Sequence, residues 1–176
     1  MKDYAFHMER RNKTSCGELL PDVGLVSAEG RQVRLSDYRG RLNLVVILAG
    51  GMDDENLLRL LGEAAGKHAD ITGEEAEVIL ILTKDRSGRT PLGVRVDWPF
   101  VVLMDSNGHA HRLFDTLDAD GTAIPAVFIA DRFGEIYAEY SSKERQQLPQ
   151  INEVLQWLFF INSQCPECGA PEWPQE

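Results

Sequence analysis

Long apolar runs and clusters of positive charge are both missing from this chain of 176 residues. No stretch of about 18 apolar residues is present, so the sequence predicts no membrane-spanning helix. Lys and Arg together number 18 against 28 Asp and Glu, which gives a net charge of −10, and the arginines are scattered. Because affinity for nucleic acid rests on clustered basic side chains, no nucleic-acid partner is expected.

The first residues also lack the apolar segment of a secretory signal. Met1 to Lys13 carry mixed charge, which predicts a loose N-terminal arm over residues 1–15 and a cytoplasmic protein.

Cysteine is scarce, with Cys16, Cys165 and Cys168 as its three occurrences. Three cysteines are too few for the disulfide framework of a secreted domain. The spacing of Cys165 and Cys168 indicates either a metal site or a redox pair.

Apolar patterning predicts one α/β domain over residues 16–162 and a tail over residues 163–176. The run Leu42–Leu48 is almost continuously apolar, as in a parallel strand covered on both faces. A helix capped by Asp53 or Asp54 is predicted to run to about His68. The further predicted elements are a hairpin of Gly24–Val26 and Gln32–Leu35, strands Glu77–Thr83, Ala126–Ala130 and Glu135–Tyr140, and a final helix after Pro149 with Phe159 on its apolar face.

Two segments carry a family resemblance. Gly30–Gly40 followed by the apolar strand, and Ile124–Ile136 with its proline, strand and tight turn, resemble the AhpC/TSA family. That family is thioredoxin-like and includes peroxiredoxins and TlpA-like thiol oxidoreductases. The resemblance covers roughly residues 16 to 160 and implies a three-layer α/β/α sandwich with a mixed central sheet.

The usual nucleophile of that family is missing. Thioredoxin-like proteins place a cysteine at the start of the first long helix, where the helix dipole favours the thiolate. Here Gly50–Asp54 contains no cysteine, and the peroxiredoxin pattern of proline, threonine and cysteine is absent. An aspartate at this end satisfies the same N–H groups, so the sequence predicts a chemically silent helix start.

Pro125 is the second feature that the resemblance makes informative. In thioredoxin-like proteins the proline before this strand is usually cis and faces the active cysteine, where the preceding residue binds an extended substrate segment. The resemblance therefore implies a cis Ile124–Pro125 bond and assigns Ile124 and Pro125 to substrate binding.

The pair Cys165 and Cys168, with Gly169 behind it, resembles half of a zinc knuckle and equally fits a dithiol couple. The pair follows a helix C-terminus and has Glu167 between its cysteines, so cations that favour a thiolate are lacking. A zinc site needs two more ligands, from Cys16 and the histidines or from a second copy of the pair. Of these histidines, His68 is predicted to pack against the domain and His109 and His111 to be exposed; the fourth is His7.

Two functional hypotheses follow. The first, implied by the resemblance, is a thiol-linked oxidoreductase or antioxidant with Cys165 and Cys168 as the catalytic pair, no cofactor, and protein thiols or a peptide segment as partners. The second is a non-catalytic binding module whose tail is closed by zinc or by a disulfide. A homodimer is compatible with both.

Overall fold

Seven strands form a single sheet in the computed structural model, which describes residues 16–85, 87–88, 97–141, 147–165 and 170–174. The predicted N-terminal arm lies outside the described residues. The strands are β1 (Gly24–Ser27), β2 (Gln32–Arg34), β3 (Asn43–Ala49), β4 (Ala76–Leu82), β5 (Val101–Met104), β6 (Ala126–Ala130) and β7 (Ile136–Ser141). Their order across the sheet is β2-β1-β5-β4-β3-β6-β7.

The sheet is mixed, as expected. β3, β4 and β5 are parallel neighbours, while β1 and β6 extend the sheet antiparallel on either side. Every residue of β3 is buried, because helices and loops cover both faces of a central parallel strand.

Four α-helices and one 3-10 helix surround the sheet within the described residues. They are the 3-10 helix Leu35–Tyr38 and the α-helices α1 (Glu55–Gly66), α2 (His68–Gly73), α3 (His109–Leu113) and α4 (Ile151–Asn162). The single helix predicted from Asp54 to His68 is thus interrupted, since Lys67 leaves the helical conformation between α1 and α2. No described helix is both long and apolar enough to cross a membrane.

Two apolar clusters lie on opposite faces of the sheet and confirm the three-layer arrangement. α1, α2 and α4 cover one face. The other is covered by α3, the 3-10 helix, the segment around Leu20 and the tail residue Trp173. The prediction for Phe159 is wrong, because it is 67% exposed. The residues of α4 that face the sheet are Ile151, Val154, Leu158 and Ile161, together with Trp157, and Phe159 lies outside this stripe.

The C-terminal tail returns to the domain through Trp173. This side chain is 1% exposed, and its indole Nε1 donates to the carbonyl oxygen of Leu20 over 2.9 Å. The indole lies on Gly134, where an added Cβ would be 2.4 Å from Trp173 Cδ2. Gly134 has a φ of +84° and closes the β6–β7 turn. The indole of Trp173 therefore anchors the tail, and it packs at a position where only glycine at residue 134 leaves enough space.

Gly134→Ala is expected to destabilise the protein more than Gly121→Ala. Both glycines have positive φ and donate to an aspartate carbonyl three residues earlier, but nothing lies within 4 Å of a Cβ at Gly121. Both variants carry the backbone cost of about 1–2 kcal/mol, and Gly134→Ala adds about 1–3 kcal/mol of overpacking against Trp173. Urea unfolding of the two variants measures the difference. Equal losses of stability would show that the packing of Trp173 on Gly134 contributes nothing to the cost.

Candidate functional site

The start of α1 is capped by a carboxylate, as predicted. Asp54 Oδ1 accepts a hydrogen bond of 3.0 Å from the backbone N–H of Leu57. This interaction satisfies one of the N–H groups left open at the first turn and places negative charge at the positive end of the helix dipole. A second anion is therefore disfavoured at the position where the family usually holds its thiolate.

The loop before α1 is also closed by a neighbouring loop. A Cβ on Gly50 would lie 2.5 Å from the Cβ of Ala123, so the chain just before Ile124 rests on the chain just after β3. Ile124 and Pro125 are both half-buried beside this contact. The structure thus brings the helix start and the proline segment together, but without a cysteine between them.

The expectation of a cis Ile124–Pro125 bond is wrong. Among the described residues the cis peptide bond is Trp173–Pro174, and Ile124–Pro125 is trans. The local pairing explains the difference. The backbone N–H of Ile124 donates to Thr116 O over 2.8 Å, and Leu117 and Ala123 form an isolated antiparallel bridge. This pairing keeps the chain extended as it enters β6.

A buried Asp–His pair lies near this end of the sheet and was missed by sequence reasoning. Asp105 and His111 are each 0% exposed, and His111 Nδ1 lies 2.8 Å from Asp105 Oδ2. The same carboxylate oxygen accepts from the backbone N–H of His111. Burial raises the pKa of Asp105, but the hydrogen bonds from His111 and Ala110 outweigh it and hold that pKa below its ordinary value.

This pair supports the loop that precedes Pro125. The carbonyl oxygen of His111 accepts from Thr116 N–H over 2.9 Å, and the carbonyl oxygen of Thr116 in turn accepts from Ile124 N–H. Thr83 Oγ1 donates to Asp105 O over 2.8 Å, which joins the pair to the end of β4. The prediction of an exposed His111 is therefore wrong, while His109 is exposed as predicted. An aspartate directly after an apolar strand was the available signal, but His109 and His111 look alike in the sequence.

Cys165 lies at the opposite end of the sheet. It is exposed beyond α4 and lines a cleft of about 70 Å³ between the end of α4, the start of β3 and the β6–β7 turn. The residues of this tail cleft that bear on its chemistry are Asn43, Asp131, Arg132, Glu135, Tyr137 and Cys165. Cys168, the other half of the predicted pair, lies outside the described residues.

The tail cleft is acidic. Burial raises the pKa of Asp131, and burial together with the charge of Asp131 raises the pKa of Glu135. Arg132 Nη2 is bound to Glu75 Oε2 at 2.8 Å. Two carboxylates and one guanidinium thus line the same cleft as Cys165, and, against the effect of burial, the charge of Arg132 lowers the pKa of Asp131.

Cys16 lies on the outer edge of β7, near the same end of the sheet. Its Sγ donates to the carbonyl oxygen of Tyr137 over 3.3 Å. Burial, and then the charge of Glu139, raises the pKa of this thiol. Cys16 is thus held in its neutral form, which is a poor nucleophile.

Cys165 is not brought together with the predicted substrate-binding residues Ile124 and Pro125. β6 runs antiparallel to β3, with Ala126 opposite Leu48 and Ala130 opposite Leu44. Pro125 therefore lies at one end of β3, and the tail cleft lies at the other. Six residue steps along β3 separate these ends by about 20 Å.

Two of the additional zinc ligands considered from the sequence can be placed relative to the described residues. His7 is outside the described ranges, and His111 is paired with Asp105. Across the described part of the chain, no group of three or more His, Cys, Asp or Glu side chains is placed to hold a metal ion.

The mixed sheet, its helical layers and the helix that starts directly after the central strand define a thioredoxin-like α/β protein. The model of the AhpC/TSA family matches residues 16–139. This match spans more than half of the chain, and the protein belongs to the AhpC/TSA family. A search of curated proteins finds no match.

Solved structures share the fold at low sequence identity. Peroxidoxin BcpB from Mycobacterium tuberculosis is 18% identical with a TM-score of 0.71, covering 86% of this chain and 100% of its own. A structure assigned as the thiol:disulfide interchange protein DsbE from Chlorobium tepidum is 19% identical with a TM-score of 0.64, covering 84% and 97%. Plasmodium yoelii Prx1a modified at the N-terminus, which forms an artifactual octamer, is 12% identical with a TM-score of 0.68, covering 90% and 98%.

Asp54→Ala is expected to lower the free energy of unfolding by about 0.5–2 kcal/mol, because the first turn of α1 loses its cap. The matched control is Asp53→Ala, which removes an exposed aspartate one residue earlier. Urea unfolding at neutral pH compares the two. If only Asp53→Ala loses stability, then Asp53 and not Asp54 is the capping residue.

Asp105→Asn is expected to destabilise the protein by about 1–3 kcal/mol at neutral pH, since a neutral amide, with a buried NH₂ group to satisfy, replaces the buried carboxylate that binds His111. The folded-state pKa of Asp105 lies below its ordinary value, so its stabilisation is present above about pH 4 and is lost as pH falls through the folded pKa. The difference between wild type and variant should therefore shrink on acidification.

Urea unfolding at pH 7 and at pH 3 measures this effect. Asp97→Asn, at an exposed position, is the control and should follow wild type at both values. A difference between Asp105→Asn and wild type that is the same at both pH values would contradict the assigned role of the carboxylate.

Proposed function

We propose that this AhpC/TSA protein is a thiol–disulfide oxidoreductase that uses Cys165 and Cys168 of its tail, in place of a cysteine at the start of α1. The observation that carries the proposal is the exposure of Cys165 at the mouth of the tail cleft. The rest of the chain offers a single further cysteine, Cys16, whose thiol is half-buried against Tyr137 O. The C-x-x-C spacing can close a disulfide within one turn of chain, as a dithiol couple requires.

The position of Trp173 supports this proposal. The segment that carries the cysteines is held between α4, which ends at Asn162, and Trp173, which is buried on Gly134. Both ends of this short segment are therefore attached to the domain. Cys165 can thus be presented at the domain surface to a protein thiol or a peptide segment, which are the proposed partners in the cytoplasm.

The second candidate function is a non-catalytic binding module with a metal ion or a disulfide in its tail. The capped helix start and the closed contact between Gly50 and Ala123 favour it, because the family's usual site is filled. A homodimer is compatible with either candidate function.

Disulfide reduction separates the two candidates. The oxidoreductase reduces a model disulfide in a reaction that Cys165→Ser or Cys168→Ser abolishes and that Cys16→Ser leaves intact. Metal analysis of the same sample identifies the alternative: stoichiometric zinc that is released on thiol modification establishes a structural clip.

Alkylation of Cys165 by iodoacetamide is expected to be slow at pH 7 and to rise with pH, as for an ordinary thiol. The reason is that the carboxylates of Asp131 and Glu135 and the nearby C-terminus of α4 disfavour a thiolate. Mass spectrometry of the labelled peptide over a pH series measures the rate. Rapid labelling that is independent of pH between about 6 and 9 would overturn this electrostatic argument.

A further inference from the structure

One buried hydrogen-bond acceptor among the residues that line the tail cleft lacks a donor. Asn43 is 0% exposed, and its Nδ2 donates to Asn162 Oδ1 over 2.8 Å and to Glu74 O over 3.3 Å. Its Oδ1 is buried and has no hydrogen-bond partner within the described residues. A buried acceptor left in this state costs about 1–3 kcal/mol, so it indicates a donor that the described residues do not supply.

Two carboxylates line the same cleft. Among the described residues no salt bridge involves Asp131 or Glu135. Arg132 is the one cation among the described residues that line the cleft; it is bound to Glu75, and, against the effect of burial, its charge also lowers the pKa of Asp131. Asp131 also accepts the turn N–H groups of Phe133 and Glu135, which fixes its orientation. An amide oxygen and two carboxylates together form a site of acceptors, and the group that matches such a site is a protonated amine.

The size of the cleft limits what can enter. Its volume of about 70 Å³ is several times the roughly 10–15 Å³ that a cavity needs to hold one water molecule. An ammonium group on a short aliphatic arm fits this space, while the remainder of a ligand stays in solvent near Cys165.

We propose that the tail cleft binds a protonated primary amine and that Cys165 exchanges with small disulfides that carry such an amine near their sulfur. This inference rests on the proposed thiol–disulfide activity and names its substrate class. In the exchange, the Cys165 thiol gives its proton to water, its thiolate Sγ attacks one sulfur of the disulfide, the S–S bond breaks, and a mixed disulfide with Cys165 forms. The displaced thiolate leaves with the electron pair of the broken bond and takes a proton from water.

The cation also changes the electrostatics of the attacking sulfur. Asp131 and Glu135 line the same cleft as Cys165, and carboxylates near a thiol disfavour its thiolate. A bound ammonium compensates that charge, so the thiolate is favoured when the correct substrate is in place. The acidic residues of the cleft therefore make exchange with Cys165 slower for neutral or anionic disulfides than for cationic ones.

The test uses the full chain with Cys16→Ser and Cys168→Ser, so that Cys165 is the single thiol. Three disulfides are compared at pH 7.5: cystamine, which carries two ammonium groups, 2-hydroxyethyl disulfide, which is neutral, and 3,3′-dithiodipropionate, which is a dianion. Mass spectrometry follows formation of the mixed disulfide. Cystamine is expected to react at least about fivefold faster than the neutral compound, as one screened ion pair near the surface allows, and the dianion slowest.

Glu135→Gln tests whether the preference comes from the cleft. It removes one lining carboxylate, and Glu172→Gln is the matched control because it removes an exposed tail carboxylate that does not line the cleft. The ratio of cystamine to neutral rate should fall several-fold in Glu135→Gln and stay within about twofold of the parent in Glu172→Gln. Since the ratio is taken within one protein, it cancels a general change in thiol reactivity.

The outcomes separate the two claims. Equal ratios in Glu135→Gln and Glu172→Gln, or no preference for cystamine at all, overturn the amine subsite and leave the thiol activity in place. Failure of Cys165 to exchange with any of the three disulfides overturns both the subsite and the proposed function.

Discussion

The carboxylate of Asp54 at the first turn of α1 is the interaction that separates this protein from the usual chemistry of its family. A helix start offers N–H donors and a positive dipole end, and thioredoxin-like proteins use both to favour a thiolate. In this chain Asp54 accepts the N–H of Leu57 instead. The protein keeps the central strand, the helix and the proline segment of the family fold. The N–H donors and the positive dipole at the helix start bind Asp54 and so stabilise the fold.

The closed contact between Gly50 and Ala123 follows from the same change. With no thiol that must be reached by a substrate, the loop before Pro125 can rest on the loop after β3. The buried Asp105–His111 pair then holds that loop through Thr116 and Ile124. The tail cleft lies at the other end of β3, about 20 Å away, so the thiol chemistry that we propose there would not compete with the packing that closes the original position.

Much of the fold could be predicted because its strongest signals are local. The continuous apolar run of β3, the aspartate cap before α1 and the turn from Asp131 to Gly134 each follow from a few adjacent residues. The trans bond at Pro125 could not be predicted, since the pairing of Leu117 with Ala123 depends on residues that the proline motif does not include. Nor could the burial of His111 be distinguished from the exposure of His109, because tertiary packing decides which side of a short helix faces the core.

The tail cleft needed the folded chain for the same reason. Asn43, Asp131 and Glu135 are distant from Cys165 in sequence, and they meet it because α4 ends beside the start of β3 and the β6–β7 turn. From the sequence alone, the spacing of Cys165 and Cys168 fits both a metal site and a redox pair. The structure adds acidic and amide neighbours, which give Cys165 a definite chemical environment.

The central claim is that the reactive sulfur has moved from the start of α1 to the tail. Mapping the first sulfur to be oxidised tests it most directly. Reduced protein is treated with one equivalent of hydrogen peroxide or of a small disulfide, quenched, digested and analysed by mass spectrometry. The account predicts that the first modification lies on Cys165 or Cys168, with Cys16 unmodified at that point. First modification of Cys16, with the tail cysteines still reduced, would contradict it.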